Sequence, residues 1–304
     1  MTKVLLIHGI NNEDNSAKNI LDTWVKALTA GVAAAGKSMP KDVSFKAAFY
    51  GETLAVETAS WGDTQESTTT MGADSPDKDY ADPELAALYR EFQEKYNIPD
   101  SAVIDHLDDG DEVAAVNTMA KGIHKQWLKA IARALEAVLP TRGKYIAQVF
   151  LKQASAYLRK PGLKEKIDGM VYDQVFKGLA ADEKVIVISH SLGTIVAYDI
   201  LRMHRQDLSA KLLLTAGSPL GIEIVKKRLG PPLICLKNAP TWINASDPND
   251  FVALKPELTA QNFGCEKIDN IAGLNNGEED AHSIEKYLAQ RRVGQAFIDA
   301  YLAP

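Results

Sequence analysis

Short apolar runs alternate with helical patterns at both ends of the chain. The strands that these runs predict cover 3–8, 43–50, 184–189, 211–216, 240–245 and 265–269. Apolar residues spaced three and four apart predict helices over 16–35, 191–206 and 284–302. Short apolar strands that alternate with helices are typical of a mostly parallel sheet with both faces covered. The pattern therefore predicts an α/β fold with a doubly wound sheet.

The segment between the second and third of these strands does not follow this alternation. We therefore divide the chain into a core, 1–60 and 180–304, and an insertion, 61–179. Within the insertion, 61–80 is polar and rich in turn residues, and helical periodicity covers 83–97, 112–139, 141–160 and 163–180. Because the insertion leaves the sheet at the carboxyl end of a strand, we expect a helical cap over a site there.

The cap helices carry an apolar stripe over 112–160, in which Trp127 and Phe150 are the largest side chains. Such a stripe is most often buried in a core, and a lid that binds an acyl chain has the same pattern. Basic residues are interspersed along it, which is compatible with a transient contact between the cap and a membrane surface. If the cap lines the site, Trp127 and Phe150 are the first candidates to contact substrate.

A strand, a tight turn and a helix meet at Ser189-His190-Ser191-Leu192-Gly193. The residues two before and two after Ser191 are small, as a sharp turn around a central nucleophile requires. Such a turn raises the Ser191 hydroxyl above the sheet edge, where the first turn of the helix also directs free backbone N–H groups. A hydroxyl beside unpaired donors is suited to acyl transfer.

A second signature follows the first strand, where Val4-Leu5-Leu6-Ile7 leads directly into His8-Gly9-Ile10. With the Ser191 turn, it resembles the α/β-hydrolase superfamily, and within it the lipases and esterases. The segments 212–221 and 241–250 resemble the later strands of that family. Ser189 stands where the family usually has glycine, and the leading strands before the first signature are missing.

This resemblance implies a catalytic triad in the chain order serine, acid, histidine, and an oxyanion hole formed by the N–H groups of Ile10 and Leu192. Two histidines follow Ser191. His204 lies on the same predicted helix, about 20 Å further along at 1.5 Å per residue, and cannot reach the hydroxyl. His282, in a turn-rich loop before the last helix, is therefore the expected base.

The acid is expected after the strand at 240–245, where Asp247 and Asp250 both fit the chain order. Asp247 precedes a proline, which favours an extended conformation and a turn. Asp250 is followed by the apolar run Phe251-Val252-Ala253-Leu254, whose burial would hold its carboxylate still. We favour Asp250 and keep Asp247 as the alternative.

Neither a cofactor nor a metal is predicted. The segment 31–38 matches the phosphate-binding P-loop pattern, but it ends a helix instead of following a strand. The acidic run 105–112 lacks the ligand spacing of a calcium loop. Cys235 and Cys265 form no metal-spaced cluster, and with no secretory segment at the start they predict reduced thiols and a cytoplasmic protein.

The length, composition and charge of the chain limit its size class and the kinds of partner it can bind. With 304 residues, of which 46% are hydrophobic, the chain is long enough for a full core and one insertion. The formal net charge of −6 disfavours nucleic acid as a partner. No apolar stretch is long enough to span a membrane, and the oligomeric state is not specified by the sequence.

The expected function is hydrolysis of a lipid-like or medium-chain ester through an acyl-enzyme. Ser191 is the nucleophile, His282 transfers its proton and Asp250 orients His282. Two alternatives remain open: acyl transfer or peptide hydrolysis with the same triad, and a non-catalytic binding module that retains the fold.

Overall fold

The computed structural model describes residues 1–70, 83–107 and 125–303. Its six strands are β1 (Thr2–Ile7), β2 (Val43–Ala47), β3 (Val185–His190), β4 (Ala210–Ala216), β5 (Trp242–Ala245) and β6 (Ile268–Ile271). They form one sheet in the order β2-β1-β3-β4-β5-β6, and every neighbouring pair is parallel. The predicted α/β fold with a parallel sheet is confirmed.

Alternate residues of the strands supply two hydrophobic clusters, one on each face of the sheet. Val4 and Leu6 belong to one cluster, whereas Leu5 and Ile7 belong to the other. Side chains on a strand point to opposite faces in turn, so a strand that is apolar at every position is buried on both sides. Continuous apolar runs such as the one in β1 therefore require helices on both faces.

The helices before β3 are α1 (Ala17–Ala34), α2 (Gly51–Thr70), α3 (Pro83–Lys95), α4 (Asp100–Ile104), α5 (Lys125–Val138), α6 (Thr141–Arg159) and α7 (Leu163–Val171). Those after β3 are α8 (Leu192–Asp199), α9 (Glu223–Leu229), α10 (Ile284–Ala289) and α11 (Arg291–Leu302). Helices α1, α10 and α11 cover one face of the sheet together, and α8 with the insertion helices belongs to the cluster on the other face.

Several predicted boundaries change: β2 ends at Ala47 and not at residue 50, β6 covers Ile268–Ile271 and not 265–269, and two helices differ. Residues 61–70, predicted as turn-rich, continue α2, which begins at the end of β2 and packs against α6. This helix lacks a clear apolar stripe, so its sequence gave no periodic signal. The single helix predicted over 284–302 is divided at Gln290, whose extended backbone separates α10 from α11. The predicted helix over 112–139 is seen as α5, and its first part lies outside the described residues.

Cys235 and Cys265 form a disulfide, so the prediction of reduced thiols is wrong. The two residues are separated by 30 positions, and the fold brings together the loops before β5 and β6 on which they lie. Disulfides persist in oxidising compartments, so the cysteines no longer support a cytoplasmic location. None of the helices in the described ranges is long and apolar enough to cross a membrane.

The strand order reverses between β1 and β3. Chain connections leave in opposite directions on the two sides of such a point and open a crevice at the carboxyl ends of the strands, where α/β proteins bind ligands. Here those ends lead into His8-Gly9-Ile10 and into Ser191. The fold therefore brings both sequence signatures to the same edge of the sheet.

Candidate active site

Ser191 occupies the sharp turn between β3 and α8. Its backbone has φ 54° and ψ −130°, a left-handed region that a residue with a side chain rarely adopts. The Ser191 N–H donates to the Ala216 carbonyl at 3.0 Å, which ties the turn to the end of β4. Ser189 fits in place of a glycine because its buried hydroxyl donates to the Leu214 carbonyl at 3.2 Å. A strained, anchored turn between a strand and a helix can raise the Ser191 hydroxyl above the edge of the sheet.

The loop after β1 lies directly against Ser191. A Cβ at Gly9 would lie 2.3 Å from the Ser191 Cβ and 2.9 Å from its Oγ, so only glycine permits this approach. Leu192 is the first residue of α8, where an N–H has no partner within the helix. Within the described chain the Ile10 N–H also has no acceptor, whereas the Asn11 N–H donates to Gln153 Oε1 at 3.0 Å. Ile10 and Leu192 thus offer two free N–H groups beside the hydroxyl.

His8 holds this loop in place. Its Nδ1–H donates to the Gly9 carbonyl at 2.7 Å, and its Nε2 accepts the Tyr50 N–H at 3.1 Å. Burial lowers the pKa of His8 from 6.5 to about 4, so the ring is neutral near pH 7. The Gly9 carbonyl and the Ile10 N–H belong to one planar trans peptide and point in opposite directions. Fixing the carbonyl therefore fixes the direction of the N–H.

Asp250 and His282 form a buried pair. The His282 Nδ1–H donates to Asp250 Oδ1 at 2.8 Å and lies 2.9 Å from Oδ2. With Nδ1 protonated, Nε2 is left as an acceptor. Asp250 is fully buried and also accepts the Val252 N–H at 2.8 Å. Phe251 anchors this loop by stacking on Phe92 of α3, with ring centroids 4.0 Å apart.

The electrostatics of the pair favour an ionised carboxylate. Burial by itself raises the pKa of the Asp250 carboxyl, but His282 and the hydrogen bond from Tyr287 outweigh it and hold the pKa below its ordinary value. Asp250 therefore keeps a negative charge against the imidazole ring of His282 at neutral pH.

Tyr287, on α10, is a site residue that the sequence pattern did not identify. Its hydroxyl donates to Asp250 Oδ2 at 2.8 Å and accepts the Asp247 N–H at 2.9 Å. The side chain is fully buried, and burial, with the adjacent Asp250 charge, raises its pKa well above the ordinary value. Tyr287 is thus a permanent hydrogen-bond donor to the carboxylate.

His282 lies next to Gly217, the residue that follows β4, and Ser191 is bonded to the last residue of that strand. A Cβ at Gly217 would be 2.7 Å from Asp250 Oδ2 and 3.1 Å from His282 Nδ1. The Ser191 N–H is bonded to Ala216, the residue before it. Ser191 Oγ and His282 Nε2 are both buried without a hydrogen bond to any described residue.

His190, immediately before Ser191, supports the His282 loop. Its Nε2–H donates to the His282 carbonyl at 2.8 Å, and the two rings lie 4.5 Å apart between centroids. Burial, followed by the neighbouring His282, holds the pKa of His190 well below its ordinary value. His190 is therefore a neutral ring that positions the loop carrying His282.

The two alternatives considered from sequence lie elsewhere. Asp247 is buried, and its carboxylate accepts the backbone N–H groups of Asn249, at 2.8 Å, and Asn276. It shapes the loop and does not contact His282. His204 is exposed at the far end of the helical segment that follows Ser191. Of the predicted residues, Asp250 and His282 are in contact with each other. The His282 loop is bonded to His190, the neighbour of Ser191, and no hydrogen bond joins Ser191 Oγ to His282 Nε2.

The two residues of the insertion that were expected to line the site lie in the core. Trp127 and Phe150 are 3% and 1% exposed and pack in the main hydrophobic cluster. The cavities that reach His282 are lined from the insertion by other residues, notably Arg142 and Ile146. Trp127 and Phe150 thus fit the more common explanation of the stripe, burial in a core.

Among the described residues, no group of three or more His, Cys, Asp or Glu side chains is arranged to hold a metal ion. Comparisons of the chain with models of protein families, with curated proteins and with solved structures give no match.

Proposed function

We propose that this protein is a serine hydrolase of the α/β-hydrolase type, which cleaves a carboxylic ester through an acyl-enzyme. The observation that carries the proposal is the strained Ser191 turn beside the buried Asp250–His282 pair. The turn supports Ser191 as a nucleophile, and the pair supports His282 as the base that activates it. Asp250 would be the third group, which orients the base.

In the proposed reaction, His282 Nε2 takes the Ser191 proton as Oγ attacks the ester carbonyl carbon. The C–O bond to the leaving alcohol breaks as His282 returns that proton to it. Water then attacks the acyl-serine by the same route, releasing the acid and restoring Ser191. Asp250 stabilises the imidazolium form of His282 in each half-reaction.

The Ile10 and Leu192 N–H groups would bind the oxyanion of each tetrahedral intermediate. Both are free in the described chain and flank Ser191, as such a role requires. The Gln153 bond to the Asn11 N–H supports Ile10 over Asn11 as the donor from this loop.

We further propose that the insertion, 61–179, acts as a cap on a core of 1–60 and 180–304. Helix α6 supports this role because it reaches loops on both sides of the site. Arg142 pairs with Asp280 at 3.0 Å, and the Tyr145 hydroxyl donates to Asn11 Oδ1 at 2.8 Å. The cap would therefore restrict access to Ser191 and select the substrate.

Hydrolysis of p-nitrophenyl acetate by the wild-type protein and by Ser191→Ala tests the proposal. We expect turnover in the wild type and a loss of several orders of magnitude in kcat in the variant. Equal rates in the two proteins would contradict it. Absence of turnover by the wild type, with no covalent reaction at Ser191, would favour a non-catalytic binding module.

A further inference from the structure

A small cavity of about 190 Å³ adjoins the proposed site. Ile10 and His282 both line it, so it adjoins two of the groups proposed to act on the ester. Pockets for drug-sized ligands usually measure about 300–1,000 Å³, so this one is suited to a short group. A second space at His282, between α6 and Phe251, measures only about 20 Å³ and has no room for a chain.

The wall of this cavity combines hydrogen-bond donors and acceptors. Asn11, Asn12 and Asn15 line it from the loop after β1, and Arg142 and His190 line it from other elements. Asn12 and Asn15 are occupied within the loop, since Asn12 Nδ2 donates to the Ile10 carbonyl at 2.8 Å and Asn15 Nδ2 to Asn12 Oδ1 at 3.0 Å.

The remaining polar groups are available to a ligand. Arg142 approaches Asp280 most closely through Nε, its side chain is 63% exposed, and its two Nη atoms make no hydrogen bond to a described residue. Asn11 Nδ2 also makes no hydrogen bond to a described residue, because the Asn11 side chain is bonded only through Oδ1, which accepts from Tyr145. His190 donates through Nε2, which leaves Nδ1 as a free acceptor. A hydroxyl group matches this mixture because it both donates and accepts.

Charge and apolar surface restrict the ligand further. Two carboxylates, Asp280 and Glu285, line the cavity with the single guanidinium of Arg142. An anionic group would therefore meet more negative than positive charge. The cavity also has apolar walls, including Trp24 and Ile146, which suit the C–H surface of a short polyol.

We propose that this cavity binds a short, uncharged, hydroxyl-bearing part of the ester, and that the enzyme prefers such esters to alkyl ones. The proposal rests on the esterase function proposed above and departs from the lipid-like substrate expected from the sequence. The hydroxyl groups belong either to the alcohol or to the acyl part, and the test separates the two.

Two matched pairs of esters test the preference. Glycerol 1-acetate is compared with 2-methylbutyl acetate, and methyl glycerate with methyl 2-methylbutanoate. In each pair both hydroxyls are replaced by methyl groups on the same skeleton. The kcat/KM of each ester, measured by pH-stat, is divided by its hydroxide-catalysed rate constant. We expect at least a tenfold preference for the hydroxylated ester in one pair, which assigns the cavity to the alcohol or the acyl side. Ratios near or below one in both pairs overturn the proposal.

Variants locate the preference in the cavity. Asn11→Gly removes the free amide while tolerating the φ of 56° at this position, and Arg142→Gln removes the Nη donors. Each variant should lower the preference for the hydroxylated ester about fivefold. The control Met203→Gln, at an exposed residue that does not line the cavity, should keep the wild-type preference. An unchanged ratio in both variants overturns the proposal. Covalent labelling of Ser191 tests the esterase function separately, and a labelled enzyme without the preference contradicts only this inference.

Discussion

The Tyr287 hydroxyl lies 2.8 Å from Asp250 Oδ2, on the carboxylate that also accepts the His282 Nδ1–H. The same hydroxyl accepts the Asp247 N–H at 2.9 Å. Tyr287 thus joins the loop after β5 to α10, the helix that follows His282. The carboxylate is held from two sides, by its own loop and by a phenol whose ring is buried in the core.

Tyr287→Phe should reduce kcat while leaving KM little changed. A hydrogen bond to a charged group contributes about 1.5–3 kcal/mol, so the expected loss is roughly 10- to 100-fold. The Tyr287 hydrogen bond is one of the causes that hold the pKa of Asp250 below its ordinary value, so its loss should raise the pKa of Asp250. The fall of kcat/KM on the acid side should therefore begin at a higher pH than in the wild type.

Tyr301→Phe is the matched control for this substitution, because the Tyr301 hydroxyl also donates to a carboxylate, that of Asp42, remote from the site. It should leave both kcat and the pH profile unchanged. If Tyr287→Phe lowers thermal stability but moves neither quantity, Tyr287 is structural and does not position the acid.

Asp250→Asn and Asp247→Asn should separate chemistry from loop structure. An amide at Asp250 favours the wrong tautomer of His282 and should cost about 10⁴ in kcat. At Asp247 the amide weakens bonds to two backbone N–H groups and should cost about 1 kcal/mol of stability with kcat retained. Steady-state kinetics and urea unfolding distinguish them, and an inactive Asp247 variant with an active Asp250 variant would reverse the assignment.

The stability of the protein should fall as the pH is lowered from neutral. Burial lowers the pKa of His8 from 6.5 to about 4, so between these values the unfolded chain binds a proton that the folded protein excludes. The unfolding free energy should decrease by roughly 3 kcal/mol across this window from His8 alone.

Urea unfolding of His8→Gln at several pH values checks this expectation. Its stability should depend less steeply on pH than that of the wild type, while the exposed control His204→Gln keeps the wild-type slope. A His8→Gln slope equal to that of the wild type would show that the folded protein accommodates a charged His8.

Reduction should destabilise the protein through the Cys235–Cys265 disulfide. The bond closes a loop with a sequence separation of 30 residues, for which chain entropy predicts about 3–4 kcal/mol. Wild-type protein should lose stability in dithiothreitol, whereas a Cys235→Ala/Cys265→Ala double variant should be equally unstable with and without it. If dithiothreitol fully reduces the disulfide, confirmed by thiol counting, without any change in wild-type stability, this expectation is wrong.

The strands and the Ser191 turn could be predicted because their signals are local. An apolar run such as 184–189 and small residues around Ser191 are visible in a few positions of the sequence. The chain order serine, acid, histidine, which the resemblance implies, pointed to Asp250 and His282. Apolar periodicity, in contrast, could not find the continuation of α2 over 61–70, because the residues there are polar. Helix α2 as a whole packs on α6.

Features that depend on distant segments were missed. The Cys235–Cys265 pair requires the loops before β5 and β6 to meet, and spacing in the sequence does not show this. Tyr287 lies in the apolar pattern of a helix, so nothing distinguished its hydroxyl from an ordinary core tyrosine. Its role depends on the packing of α10 against the loop that carries Asp250.

The central claim is that Ser191 is an activated nucleophile, and reaction with a fluorophosphonate tests it most directly. Wild-type protein and the Ser191→Ala and Asp250→Asn variants would be treated and analysed by intact mass and peptide mapping. We expect a single adduct on Ser191 in the wild type, none in Ser191→Ala and much slower labelling in Asp250→Asn. An unlabelled wild-type protein, or an adduct that persists in Ser191→Ala, would contradict the account.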